Sequence, residues 1–148
     1  MRMAGKIVLI GGPAGAGKST LAAEWCATRG RAVHIELDKI RDLIVAGRAD
    51  PQGAGEVFGE QYDLSVEACV RLAATFAVAG YDVAIDDVLE PPAFERVWAP
   101  ALSGIPYTLL ILMPELDEVL MRARGREKRC VRTSSARNTR PRRPGHRS

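Results

Sequence analysis

Apolar runs alternate along this chain with stretches whose apolar positions recur at helical spacing. "KIVLI" (Lys6–Ile10) is continuously apolar after its lysine, the pattern of a strand covered on both faces. Leu21, Ala22, Trp25 and Cys26 then form one stripe, which predicts a helix from Ser19 to about Thr28, stopped by Gly30. "RAVHIELD" (Arg31–Asp38) reads as a second strand, and "KIRDLIVAG" as a helix capped by Asp38 and ended by Gly47. The Gly-rich, polar stretch Arg48–Asp63 predicts a loop with at most a short helical turn. A helix over Leu64–Gly80 follows from Val66, Val70, Ala73, Ala74 and Ala77. "YDVAIDDVL" (Tyr81–Leu89) is a third strand and "IPYTLLILM" (Ile105–Met113) a fourth. Between them "PPAFERVWAPALSG" opens on prolines suited to a helix N-terminus, and Pro114 opens a last helix that ends in arginines. Strand and helix in strict alternation predict an α/β domain: a parallel sheet with right-handed crossovers and helices on both faces.

The last stretch breaks this rhythm. Residues 130 to 148 hold six arginines, no acid and almost nothing to bury, so they are expected to form a disordered basic tail behind one domain spanning residues 1–129. A solvated C-terminus is one reading of the tail, and a shifted reading frame after Arg129 is another. The tail also decides how the charge is understood. Of 21 Lys and Arg, 15 lie before residue 130, against all 18 Asp and Glu, so the +3 chain has a −3 domain. A nucleic-acid footprint on the folded part is therefore not expected. No apolar run approaches the ~20 residues of a membrane span, and the N-terminus lacks the long apolar core of a secretion signal. The three scattered cysteines do not pair up as a disulfide framework. These features predict a cytoplasmic protein, monomeric or weakly dimeric.

The chemistry begins at residues 12–19. Gly12, Pro13, Ala14, Gly15, Ala16, Gly17, Lys18 and Ser19 match G-x-x-x-x-G-K-[ST] at every fixed position, after a strand and opening a helix. The glycines let successive backbone N–H groups turn inward around phosphate oxygens, and the helix adds its positive end. Lys18 brings a point charge for the β- and γ-phosphates of ATP, Ser19 a hydroxyl for Mg²⁺, and Thr20 continues the phosphate-binding turn.

Carboxylates follow at the strand ends. "VAIDD" closes the third strand with Asp86 and Asp87, which strict alternation points to opposite faces, so that one of them, with Asp86 preferred, reaches the metal. Asp38 and Arg41 stand at the end of the second strand. Either Asp38 caps the next helix and Arg41 is solvated, or Asp38 accepts a proton from a substrate hydroxyl while Arg41 anchors an anionic group. Arg122 and Arg126 lie four apart in the last helix and share a face, where they either complement its C-terminus or close over a transferred phosphoryl group. His34, in the second strand, and His146, in the tail, have no partner set and are expected to carry no chemistry, and Trp25 and Trp98 are expected to serve packing.

The glycine loop, "HIELDKIR", "VAIDDVLEP" and "LLILMPELDEVLMRARGREKR" together resemble, in order and spacing, the small P-loop kinases: chloramphenicol phosphotransferase-like proteins, gluconate and shikimate kinases, zeta toxins, and phosphotransferase-like AAA-family ATP-binding proteins. The resemblance covers about residues 5 to 129 and implies a three-layer P-loop NTPase fold of the nucleoside-monophosphate-kinase type. It implies a mainly parallel sheet of about four strands; the fifth strand of such kinases is expected to be missing here, which would leave the fourth strand unpaired on one side. It further implies an ATP- and Mg²⁺-dependent phosphotransferase acting on a hydroxyl of a small molecule. In that scheme Lys18 and Ser19 bind phosphates and metal, Asp86 takes the acidic metal position, Asp38 faces the acceptor with Arg41 beside it, and Arg122 and Arg126 are lid arginines. The alternatives are a nucleotide-driven switch without an acceptor and a truncated chain that only binds ATP.

Overall fold

The computed structural model describes residues 2–50, 52 and 55–113, together with the backbone of 131–133. Strand β1 (Ile7–Gly12) is buried at all six positions and lies at the centre of the sheet. Around it run β2 (Ala32–Glu36), β3 (Asp82–Val88), β4 (Thr108–Leu112) and β5 (Val131–Thr133), in the order β2-β3-β1-β4-β5. The first four are parallel, paired Ile7 to Val83, Val8 to Thr108 and Ala32 to Asp82. A continuously apolar central strand suits this place because helices cover both of its faces.

Alternation along the strands divides the core in two. Ile7, Leu9, Ile35, Val83 and Ile85 face one way. They pack on Val66, Cys69, Val70 and Ala73 of α3 (Glu56–Val78) and on the fully buried Trp98. Val8, Ile10 and Ala84 face the other way, onto Ala22, Leu21 and Trp25 of α1 (Lys18–Ala27). The result is the expected three-layer α/β arrangement.

Four elements differ from the sequence reading. The helix after β2 is only one turn, α2 (Leu37–Arg41), and Glu36 rather than Asp38 holds the extended position before it. Asp38 therefore lies in the first turn and does not cap the helix. Helix α3 starts at Glu56, eight residues before the expected Leu64. Phe58 and Tyr62, half-buried, extend its apolar stripe through the Gly-containing tract that had read as loop. The segment after β3 is one continuous helical stretch: α4 (Pro91–Ala93), a π-helical Phe94–Trp98, and α5 (Ala99–Ala101). Finally, the outer side of β4 is not open. The short strand β5 pairs with it antiparallel, Leu112 opposite Val131 and Leu110 opposite Thr133, inside the stretch expected to be disordered. Among the described residues no helix is long and apolar enough to cross a membrane.

Candidate active site

The glycine loop leaves β1 and turns into α1 on backbone angles that side chains resist. Gly15 and Gly17 have φ of 76° and 89°, in the left-handed region where a Cβ is strained. An added Cβ at Gly15 would meet nothing within 4 Å, whereas at Gly12 it would press on the Leu112 carbonyl at 2.6 Å. The first turn of α1 has no acidic residue and no side-chain cap, which leaves its amides available to an anion. Lys18 is buried, and its Nζ donates to the Pro13 carbonyl at 2.9 Å, across the loop. Burial lowers its pKa below the ordinary lysine value, while Asp86, Asp87 and Asp38 pull it the other way.

Asp86 and Asp87, both buried at the end of β3, diverge as alternation requires. Asp86 sits toward α1: Ser19 Oγ donates to its Oδ1 at 3.2 Å, and His34 Nε2 meets its Oδ2. Glu36 lies opposite Asp86 on β2 and accepts from Lys39 Nζ at 2.6 Å, a bond that holds its carboxyl below the usual range. Asp87 turns toward α3. Its Oδ2 accepts from Tyr62 Oη at 2.6 Å and from Trp98 Nε1 at 3.0 Å. Burial pushes the Asp87 carboxyl up, and those two donors hold it back. The Tyr62 phenol is pushed up as well, first by burial and then by its bond to Asp87.

Asp38 and Arg41 stand at the rim. The Asp38 side chain is 76 % exposed, with Arg41 Nη1 3.7 Å away. The Arg41 guanidinium lies 4.7 Å from the centre of the Phe58 ring, which it covers as a cation over a π face. Asp38, Arg41, Phe58, Tyr62, Asp87 and Arg96 line a cleft of about 530 Å³. It opens beyond the C-terminal ends of β2 and β3, where open α/β sheets place ligands. A cavity of about 630 Å³ lies at the other end of the sheet, around Gly5, Ile105 and Tyr107, and holds none of these groups.

A family model described as an AAA domain (AAA_33) matches residues 7–140. The chain belongs to the AAA domain family. Its fold is that of P-loop kinase-like proteins, as solved structures show. It superposes on APE1195 with a TM-score of 0.59 at 24 % identity, over 82 % of this chain and 67 % of that one. A sugar kinase of Janibacter sp. HTCC2649, without ligand, gives 0.58 at 19 % identity over 88 % and 72 %. The APS kinase CysC of Mycobacterium tuberculosis, in complex with AMPPNP and APS, gives 0.60 at 17 % over 81 % and 69 %. A chain of the Pnkp1/Rnl/Hen1 complex gives 0.61 at 15 %, and this chain spans only 46 % of it. No curated protein gives a significant match.

In this AAA domain the structure brings Lys18, Ser19 and Asp86 together and sets Asp38 and Arg41 at the neighbouring cleft. Arg122 and Arg126 lie outside the described residues. Sequence reasoning passed over His34, Glu36, Tyr62 and Trp98 as site residues. His34 and Glu36 are two apart on a strand and so share a face, a period-two signal that was there to be read. Tyr62 was hidden by the assignment of its tract to a loop, and the Trp98 indole was expected only to pack.

Proposed function

We propose that this AAA domain is an ATP-dependent phosphotransferase that moves a phosphoryl group onto a hydroxyl of a small molecule. The observation that carries the reading is an open cleft lined by Asp38 and Asp87, two carboxylates that also act on the charge of the P-loop lysine. The loop fits a polyphosphate. Left-handed glycines, uncapped α1 amides and one buried ammonium form a cradle with positive character. Ser19 and Asp86 together fit an oxygen-ligated divalent cation. The APS kinase bound to both AMPPNP and APS supports the pairing of nucleotide and acceptor on this fold.

Bound Mg-ATP would supply the transferable phosphoryl group and neutralise part of its charge. The chain's own residues would do the positioning on which such reactions depend. Lys18, now on the Pro13 carbonyl, would hold the phosphates, and Ser19 and Asp86 would hold the metal. Asp38 orients the acceptor hydroxyl and takes its proton, and Arg41, braced on Phe58, holds an anionic or polar part of the acceptor. Arg122 and Arg126 act as lid cations. Asp87, fixed through one oxygen by Tyr62 and Trp98, gives the cleft a rigid hydrogen-bond acceptor. The −3 charge of residues 1–129 favours a small molecule over a nucleic acid.

Two variants separate the roles. Lys18→Ala should lose nucleotide binding and turnover together. Asp38→Ala should bind Mg-ATP like the parent and lose at least about 100-fold in transfer, the low end of general-base contributions. If Asp38→Ala transfers phosphate at the parent rate, the assignment of Asp38 is wrong.

A further inference from the structure

His34, Glu36 and Asp86 form a donor set that the phosphotransfer reading does not use as a whole. One ligand atom from each lies within 4.8 Å of the others. The placement follows from strand geometry. His34 and Glu36 are two apart on β2 and project from one face. Asp86 is the register partner of Glu36 on β3, and its Oδ2 meets His34 Nε2. Two carboxylates directly opposite across parallel strands repel each other unless positive charge lies at hand. Lys39 serves Glu36 from the solvent side, with its own side chain 76 % exposed. The inner side, between Glu36, His34 and the buried Asp86, faces Ser19 and the glycine loop.

We propose that these three residues bind a first-row transition-metal divalent cation, Mn²⁺, Co²⁺ or Zn²⁺, in the absence of nucleotide. Bonds of about 2.0–2.2 Å to nitrogen and carboxylate oxygen place ligand atoms roughly 3–4 Å apart, so a small closing movement of the three side chains completes the set. The cation takes the place of the direct His34–Asp86 contact, and water or Ser19 Oγ fills the remaining positions. The imidazole decides selectivity. Mg²⁺ prefers an all-oxygen octahedron and keeps its waters, whereas the later divalent metals accept nitrogen readily and bind more tightly at mixed sites. Asp86 and Ser19 are shared with the metal of the phosphotransfer reading, but the claim of nucleotide-free binding stands without that reading.

The test uses the full chain without nucleotide, titrated with MnCl₂ and followed by electron paramagnetic resonance. One Mn²⁺ should bind per chain, with pulsed spectra showing coupling to a ¹⁴N nucleus. His34→Gln should abolish that coupling and weaken Mn²⁺ at least tenfold. Glu36→Gln should weaken it comparably while keeping the coupling, and circular dichroism would show both variants folded. A tenfold excess of Mg²⁺ should leave the bound Mn²⁺ in place. Absence of nitrogen coupling in the parent, unchanged affinity in both variants, or ready displacement by Mg²⁺ overturns the proposal. Intact Mn²⁺ coupling in a protein that binds no Mg-ATP overturns the nucleotide reading alone; Mg-ATP binding without Mn²⁺ coupling overturns this one alone.

Discussion

Replacing Lys18 by methionine keeps the length and most of the volume of the side chain and removes its charge. Lys18 is 8 % exposed, and burial outweighs the attraction of Asp86, Asp87 and Asp38 in setting its pKa, which is lowered. The ammonium is therefore held at a cost in the nucleotide-free fold. A lowered folded pKa means that the unfolded chain keeps the proton more firmly. At pH 7 both states are protonated and the whole cost is felt; it fades as pH rises through the lowered pKa. Because burial outweighs the three carboxylates in that balance, removing the charge should stabilise the free protein. For a domain of this size each kcal/mol gained raises Tm by about 3 °C. Mg-ATP at about 100 times its Kd should add about 2.7 kcal/mol to the parent, roughly 8 °C. Losing a charged contact of about 3 kcal/mol raises Kd by about 100-fold, and the same ATP then adds only about 0.4 kcal/mol to Lys18→Met. The two proteins should cross: Lys18→Met melts higher without nucleotide, and the parent melts higher with it. Differential scanning fluorimetry with and without Mg-ATP reads both halves. A variant that melts below the parent without nucleotide would mean that the three carboxylates outweigh burial; an equal ATP shift in both proteins would remove Lys18 from the phosphate site.

The Asp87 anchor and the glycine loop give further expectations. Tyr62→Phe removes the 2.6 Å donor to a buried carboxylate and should cost about 2 kcal/mol in urea unfolding, the range for hydrogen bonds to charged groups. In an Asp87→Asn background the same change should cost about 1 kcal/mol less, and a double-mutant cycle with no coupling would show that the Tyr62–Asp87 bond contributes nothing. Gly15→Ala should cost about 1–2 kcal/mol for its left-handed backbone, with no steric clash, and should weaken Mg-ATP far more than it weakens the fold. Gly12→Ala meets the Leu112 carbonyl at 2.6 Å and should instead be chiefly a folding defect, visible in the melting curve before any nucleotide is added.

The parts that were legible in the sequence are those whose physics is local. The apolar run Ile7–Ile10, the three glycines and Lys18 each require their conformation within a few residues, and strand alternation alone separates Asp86 from Asp87. Helix α3 was less legible at its start because Gly55, Gly59 and polar neighbours resemble a loop. Phe58 under Arg41 and Tyr62 against Asp87 give the Glu56–Asp63 turns long-range contacts that the local sequence does not express. The Asp87–Tyr62–Trp98 cluster joins residues 25 and 11 positions apart, and its hydrogen bonds depend on how two helices meet one strand. The strand order, and the pairing of Val131–Thr133 with β4, are long-range choices that no local pattern expresses. A three-residue strand amid arginines carries no period-two signal to find. Arg122 and Arg126 were read only from helical spacing and resemblance.

In the proposed reaction a nucleotide held by the loop at Gly12–Ser19 gives its terminal phosphoryl group to a small-molecule hydroxyl at the Asp38–Arg41 cleft. The most direct measurement is ADP release and transfer of ³²P from γ-labelled ATP across a panel of hydroxylated metabolites, aminoglycosides, phenicols and nucleosides. ADP release should be slow without acceptor and accelerated by at least one acceptor, with label recovered in that acceptor in step with the ADP formed. ADP release at one rate with and without every acceptor, and no label in any of them, would contradict that reaction.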